Sequence, residues 1–451
     1  MRATLVALYC AALAPPMLAP VPSSAQTARP AALDPMQRSQ VIGNIAAAAE
    51  ARYVDPAAGR RIAAHLRQRL AVGAYDGMAD PIAFAAAITA DVQSVMPDVH
   101  LRAVYEPNRS AQTVRVVAPA GQPAPAGSVA GPRNFGRIDP RSEAQIARSN
   151  FGFDAVQRLG GNVGYLRMSR FVPLAMSEPT AGAAMAFLAN SDAVIVDLRG
   201  NIGGAPDLVQ RLISYFTGPE PVQLMESYFR EGDRTEKLMS LAEVPGQRLT
   251  GKPLYVLIDA RTASAAEMFA YFAQHRKLGT VVGMVSAGAG NGGAMFPAGS
   301  DISFFLTSIK LIDGPGWERT GVTPDIAAAP ENALDTAHRG ALADLVARAT
   351  EPAVKREREW ALELLTQAAA PAGALDAYAG SFGTRSFKVE QGRLVAIPAG
   401  SGPQPLQRVA PDIFRTETSR YSFERNAAGA VTAVRVETLS GTDMRAARDA
   451  G

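Results

Sequence analysis

Two short stretches hold residues whose types and spacing suit chemistry. In DARTASAAEMFA, Asp259 to Ala270, Ser264 follows the apolar run PLYVLI and opens a helical pattern, with Ala263, Ala265 and Ala266 leaving its hydroxyl accessible. A serine at a strand-to-helix passage can attack a carbonyl or simply cap the helix, and the local sequence carries both readings. In DLRGNIGG, Asp197 to Gly204, glycines follow the apolar run AVIV and precede another helical pattern. Backbone without a Cβ can turn its amides inward onto an oxyanion or a phosphate, although a tight turn with no catalytic meaning has the same composition. Taken together, the stretches supply both halves of an acyl-transfer site at one edge of one sheet: a nucleophile, and amides for the developing negative charge.

The elements that must position these residues follow from the hydrophobic pattern. Apolar runs at VGYLRM after Asn162, AVIVDLR from Ala193, PLYVLID from Pro253, TVVGMV from Thr280 and ISFFLTSIKLI from Ile302 alternate with helical stretches at Thr180 to Leu188, Ala205 to Phe216 and Ser264 to Gln274. Strands alternating with helices predict a largely parallel, buried α/β sheet. Ahead of it, Asp34 to Gln93 carries helical spacing (Val41, Ile45, Ala48 and Ala49, then Ile62, Leu66 and Leu70), with Asp55-Pro56 and Asp80-Pro81 as breaks. His65 lies among Arg60, Arg61 and Arg67 there and reads as an ordinary helical histidine. Residues 118–133 form a Pro/Gly/Ala loop. Beyond Pro371, short apolar and aromatic runs with glycine turns predict a small antiparallel β domain, and Phe382, Phe387, Phe414, Tyr421 and Phe423 argue against a disordered tail.

Composition bounds the function. The chain has 451 residues, 47% of them hydrophobic, enough for two or three folding units. A net charge of only +3, without basic runs, predicts no nucleic-acid partner. Arg2, the apolar stretch Leu5 to Leu18 and the small residues Ser23, Ser24 and Ala25 resemble an export signal, so residues 1–25 are expected to be removed and the protein to be periplasmic or secreted. No later stretch is apolar for long enough to span a bilayer. The single cysteine, Cys10, falls within the signal, which predicts a mature chain with no disulfide and no thiolate chemistry. The four histidines have no ligand spacing to one another, so neither a metal nor a cofactor is expected.

The order GNVGYLRM, DLRGNIGG, TASAAE and WERTGVTPD resembles the tail-specific, or C-terminal processing, protease family over about 160 residues. The resemblance implies a ClpP/crotonase-like mixed sheet core, with Ser264 as nucleophile and an oxyanion hole from Gly203, Gly204 and Ala265. One branch of that family takes its base from a lysine shortly after the serine, but VGMVSAGAG places Ala289 there. The other branch, which includes interphotoreceptor retinoid-binding protein-like and tricorn-like members, uses an upstream histidine and a downstream glutamate. MPDVHLRAVY is similar to its DGHL motif and implies His100 as general base; WERTGVTPD is similar to its WEGxGVxPD motif and implies Glu318 as the orienting or supporting acid. Val99, Ile202 and Arg319 stand where glycines are common. No segment between His100 and Asn162 suits the PDZ domain of many members. The expected organisation is a signal peptide (1–25), an N-terminal helical domain (34–115), a linker and entry segment (116–160), a serine peptidase core (161–350) and a β-barrel-like domain (371–451). The implied partner is a peptide or unstructured protein substrate. A noncatalytic carrier of apolar ligands or peptides, or an esterase, would be built on the same fold. The sequence leaves the oligomeric state open.

Overall fold

A computed structural model of the chain describes residues 30–107, 140–366 and 375–449. The expected signal at 1–25, Cys10 and the loop at 118–133 lie outside the described residues. Three N-terminal helices, α1 (Pro35–Arg52), α2 (Pro56–Ala71) and α3 (Pro81–Val95), each begin with an aspartate N-cap followed by proline at the first helical position. The Asp-Pro pairs that read as breaks are therefore starts: the carboxylate takes the first free amides, and proline has no amide to leave unpaired. Strand β1 (Arg102–Tyr105) follows, then α4 (Pro140–Arg148).

The central sheet is built from β2 (Phe153–Leu159), β3 (Val163–Met168), β4 (Ala193–Asp197), β7 (Leu254–Ile258), β8 (Thr280–Gly283) and β11 (Ile326–Ala327). Its order is β11-β8-β7-β4-β3-β2, parallel throughout except for the antiparallel edge pair β2–β3. Helices α5 (Leu174–Leu188), α6 (Pro206–Ile213) and α7 (Ala265–His275) cover one face, while α8 (Pro330–Arg348) covers the other and is itself backed by α9 (Pro352–Thr366). Alternation along β7 shows the consequence: Leu254, Val256 and Ile258 enter the first core, Tyr255 and Leu257 the second.

The run from Ile302 is not part of this sheet. As β10 (Ile302–Leu311) it pairs antiparallel with β1, with β5 (Gln223–Phe229) and with β9 (Gly292–Gly299); β6 (Arg234–Met239) completes that second sheet. Ala298, Ile302, Phe304 and Leu306 share one core with α1, α2 and α3, so the helical region is closed by strands remote from it in sequence. The sheet core is thus mixed, as expected. C-terminal strands between Gly380 and Ala447 form two small antiparallel sheets. The five aromatics that pointed to them (Phe382, Phe387, Phe414, Tyr421 and Phe423) are all in their core. Arg415, fully buried, ties this region to α9 through Glu363 at 2.5 Å and the face of Trp360.

Candidate active site

Ser264 sits between β7 and α7 with φ 55° and ψ −119°, a backbone conformation that L side chains rarely adopt. Such a sharp, strained turn presents a serine hydroxyl at the end of a strand rather than folding it into the helix. The turn is fixed on both sides. Ala263 donates its N–H to Asn201 O at 2.9 Å, and Thr262 Oγ donates to Leu198 O at 2.9 Å, which joins the turn after β7 to the turn after β4.

Gly203, at φ 93°, is wedged into that junction: a Cβ there would lie 2.7 Å from Ala263 O and 2.8 Å from Ala265 N and from Ser264 Cβ. Only glycine tolerates both the conformation and the contact. Gly203 does not keep its own amide free, because it donates to Asn201 Oδ1 at 2.9 Å. Of the three expected oxyanion contributors, the amides of Gly204 and Ala265 have no acceptor among the described residues. Asn201, fully buried, also donates from Nδ2 to Met168 O at 2.9 Å and thereby locks the whole glycine turn.

Glu267, one helical turn beyond the serine, is fully buried and receives four donors: the Ser264 N–H at 2.7 Å, the Ser286 hydroxyl at 2.6 Å, and the amides of Gly288 and Ala289 at 2.6 and 2.8 Å. It makes the carboxylate half of a capping box and anchors the loop after β8 as well. Ala289, at the lysine position of the other branch, contributes only backbone here.

Glu318 grips the next two residues of that loop, taking the amides of Gly290 and Asn291 at 2.8 Å each. Burial pushes its carboxyl above the ordinary glutamate range, partly offset by those amides and by nearby His100, while Asp98 reinforces the rise. Glu318 is therefore within electrostatic reach of His100 and, through the loop and Glu267, three hydrogen bonds from Ser264.

His100 lies just before β1, almost fully buried, with its ring stacked on Phe305 of β10 at 5.3 Å between centroids. Its Nδ1 is 3.6 Å from Asp98 Oδ1, and its backbone N–H donates to the same oxygen at 2.9 Å. Asp98 Oδ2 accepts the Tyr53 hydroxyl at 3.2 Å. No hydrogen bond joins His100 to Ser264 among the described residues. The expected site residues thus fall into two groups, Ser264 with Gly203, Gly204 and Ala265, and His100 with Asp98, with Glu318 between them. Sequence reasoning gave no role to Asp98, Asn201 or Ser286, although all three lie inside the quoted stretches.

Val99 and Ile202, where glycines are common, are exposed, and Arg319 keeps a glycine-like φ of 64°. No group of three metal-ligating side chains occurs among the described residues, and no described helix is long and apolar enough to cross a membrane.

The chain is similar in sequence to known proteins over part of its length. A "Carboxy-terminal-processing protease" of Bartonella bacilliformis is 27% identical over 210 residues, 45% of this chain and 47% of that protein. "Carboxy-terminal processing protease CtpB" of Bacillus subtilis is 30% identical over 177 residues, 37% of this chain and 34% of that protein. The chain therefore spans about half the length, or less, of these curated relatives. Among solved structures, a photosystem II D1 C-terminal processing protease aligns with a TM-score of 0.42 at 15% identity, over 65% of this chain and 94% of that one. The model of peptidase family S41 matches residues 162–328, from the start of β3 to just past β11, so this part of the chain is similar to the domain of that family.

Proposed function

We propose that the chain is an exported serine endopeptidase of the histidine-dependent, interphotoreceptor retinoid-binding protein-like branch, which cleaves unstructured protein or peptide substrates through an acyl-enzyme on Ser264. The observation that carries this reading is the strained Ser264 turn with Gly203 packed against it and the Ala265 amide left without an acceptor. A serine that only capped its helix would need neither the strain nor the glycine contact.

In this reading His100 takes the Ser264 proton as the hydroxyl attacks the scissile carbonyl. The amides of Ala265 and Gly204 hold the oxyanion, and Gly203 lets the two turns approach closely enough for both to reach it. His100 then returns the proton to the leaving amine, and a water repeats the sequence on the ester. Glu318 holds the 290–291 backbone and adds negative charge facing the imidazolium. The expected signal at residues 1–25 supports a periplasmic or secreted site of action.

Ser264→Ala removes the attacking oxygen without filling or emptying the core. It is expected to fold normally and to lose both peptide hydrolysis and labelling by a fluorophosphonate probe. Equal labelling of mutant and parent would overturn the assignment. For the rival reading, a carrier of apolar ligands, tight binding of a fatty or retinoid-like ligand with no turnover of unstructured peptide would be the signature.

A further inference from the structure

We infer that Asp98, not Glu318, is the carboxylate that orients the His100 ring, making Asp98 a positioning residue supplied from beneath the helical region of the chain. The inference rests on the peptidase reading for its meaning, but its geometry stands independently. His100 Nδ1 is enclosed, has no hydrogen-bond partner among the described residues, and faces Asp98 Oδ1 at 3.6 Å. No other acceptor is recorded for a proton on that nitrogen. A small rotation of either side chain, with no substrate needed, brings the pair to bonding distance.

Glu318 is differently employed. Its Oε2 already takes two backbone amides, and no hydrogen bond to either ring nitrogen is present among the described residues. The two carboxyls also shift in opposite directions. Burial raises the Asp98 carboxyl, but His100, Thr307 and the His100 N–H more than offset that and hold it below the ordinary aspartate range, whereas burial leaves Glu318 raised. Asp98 is the firmer anion near neutral pH.

The surroundings keep the pair in register. Tyr53, at the end of α1, donates to Asp98, and Phe305 of β10 stacks on the imidazole. Arg102 of β1 lies over the Phe305 ring at 5.4 Å. With Asp98 accepting from Nδ1–H, the lone pair is left on Nε2, the nitrogen that must take the serine proton.

The test is the tautomer of His100 in the full chain, read by long-range proton–nitrogen correlation on protein labelled at its four histidines, with His100→Gln giving the assignment. The wild type is expected to carry its neutral-ring proton on Nδ1. Asp98→Asn is expected to move that proton to Nε2. The same variant should lower kcat on unstructured peptide by on the order of 10⁴-fold, the effect of the equivalent change in a serine triad. Glu318→Gln should leave the tautomer unchanged. A wild-type ring protonated at Nε2, an unchanged ring in Asp98→Asn, or a tautomer change in Glu318→Gln would each overturn the inference. Should Asp98→Asn not fold, the wild-type and Glu318→Gln spectra still decide. Because the spectra need no substrate, a chain inert toward peptides would sink the proposed function and leave this result standing.

Discussion

The two halves of the candidate site are built by different means. Around Ser264, three loops from the ends of β4, β7 and β8 are laced by short bonds to Asn201 and Glu267, and every one of those partners is backbone or a side chain held by backbone. Around His100, a stacked ring, one 3.6 Å approach and one tyrosine hydroxyl do the work, and the segment belongs to the core shared by the N-terminal helices and β10. The difference teaches that the proposed nucleophile and its amides are preorganised within one sheet, while the alignment of the proposed base depends on how two cores pack. Preorganised dipoles cost no reorganisation at the moment of reaction, which is what an oxyanion site requires.

The sharpest way to break this contrast is Glu267→Ala. It leaves four donors without an acceptor in a fully buried place. At about 1 to 3 kcal/mol for each buried group left unsatisfied, the loss should be ~4 kcal/mol or more, measured by urea unfolding, with fluorophosphonate labelling lost as well. A loss below about 1 kcal/mol would mean that the lacing is dispensable.

On the other half, Asp98→Asn should cost about 2 kcal/mol at neutral pH, as expected for replacing a charged acceptor in a buried pair. The cost depends on pH in a direction set by the lowered Asp98 value. A carboxyl whose native pKa lies below its unfolded one contributes stability that is present above the unfolded value, about 3.9, and is lost as pH falls through the lower native value. The stability gap between parent and variant should therefore be full at neutral pH and close below about pH 4. A gap that stays constant into acid would show that Asp98 contributes by packing rather than by charge.

The nucleophile half was also the more legible in sequence. Ser264, Gly203 and the strands that end at them are local: an apolar run, a small-residue turn and a helix start lie within about a dozen residues. His100 and Glu318 needed the family resemblance, because nothing within either segment shows that they are neighbours. The apolar run at β10 looked like one more parallel strand, since a strand buried on both faces has the same composition whichever partner it pairs with, and its partners β1 and α1 to α3 are remote in sequence. Asp98 escaped notice for a related reason: its partner Tyr53 is 45 residues away, and only the fold brings that hydroxyl to it.

The smallest effect concerns the turn that joins the halves. Arg319 occupies a common glycine position and still adopts φ 64°, while its N–H donates to Gly288 O at 2.7 Å and thus holds the loop that Glu267 and Glu318 share. A left-handed conformation costs a non-glycine residue about 1 to 2 kcal/mol, and glycine returns about 0.5 to 1 kcal/mol of that through its freer unfolded chain. Arg319→Gly should therefore stabilise the protein by about 0.5 kcal/mol, and Arg319→Ala, with the same strain, by nothing. The backbone bond to Gly288 survives both changes, so the Ser264 turn should label at the parental rate in each. A fall in labelling with Arg319→Gly alone would mean that the strain in this turn, and not only its hydrogen bond, holds the two halves in register.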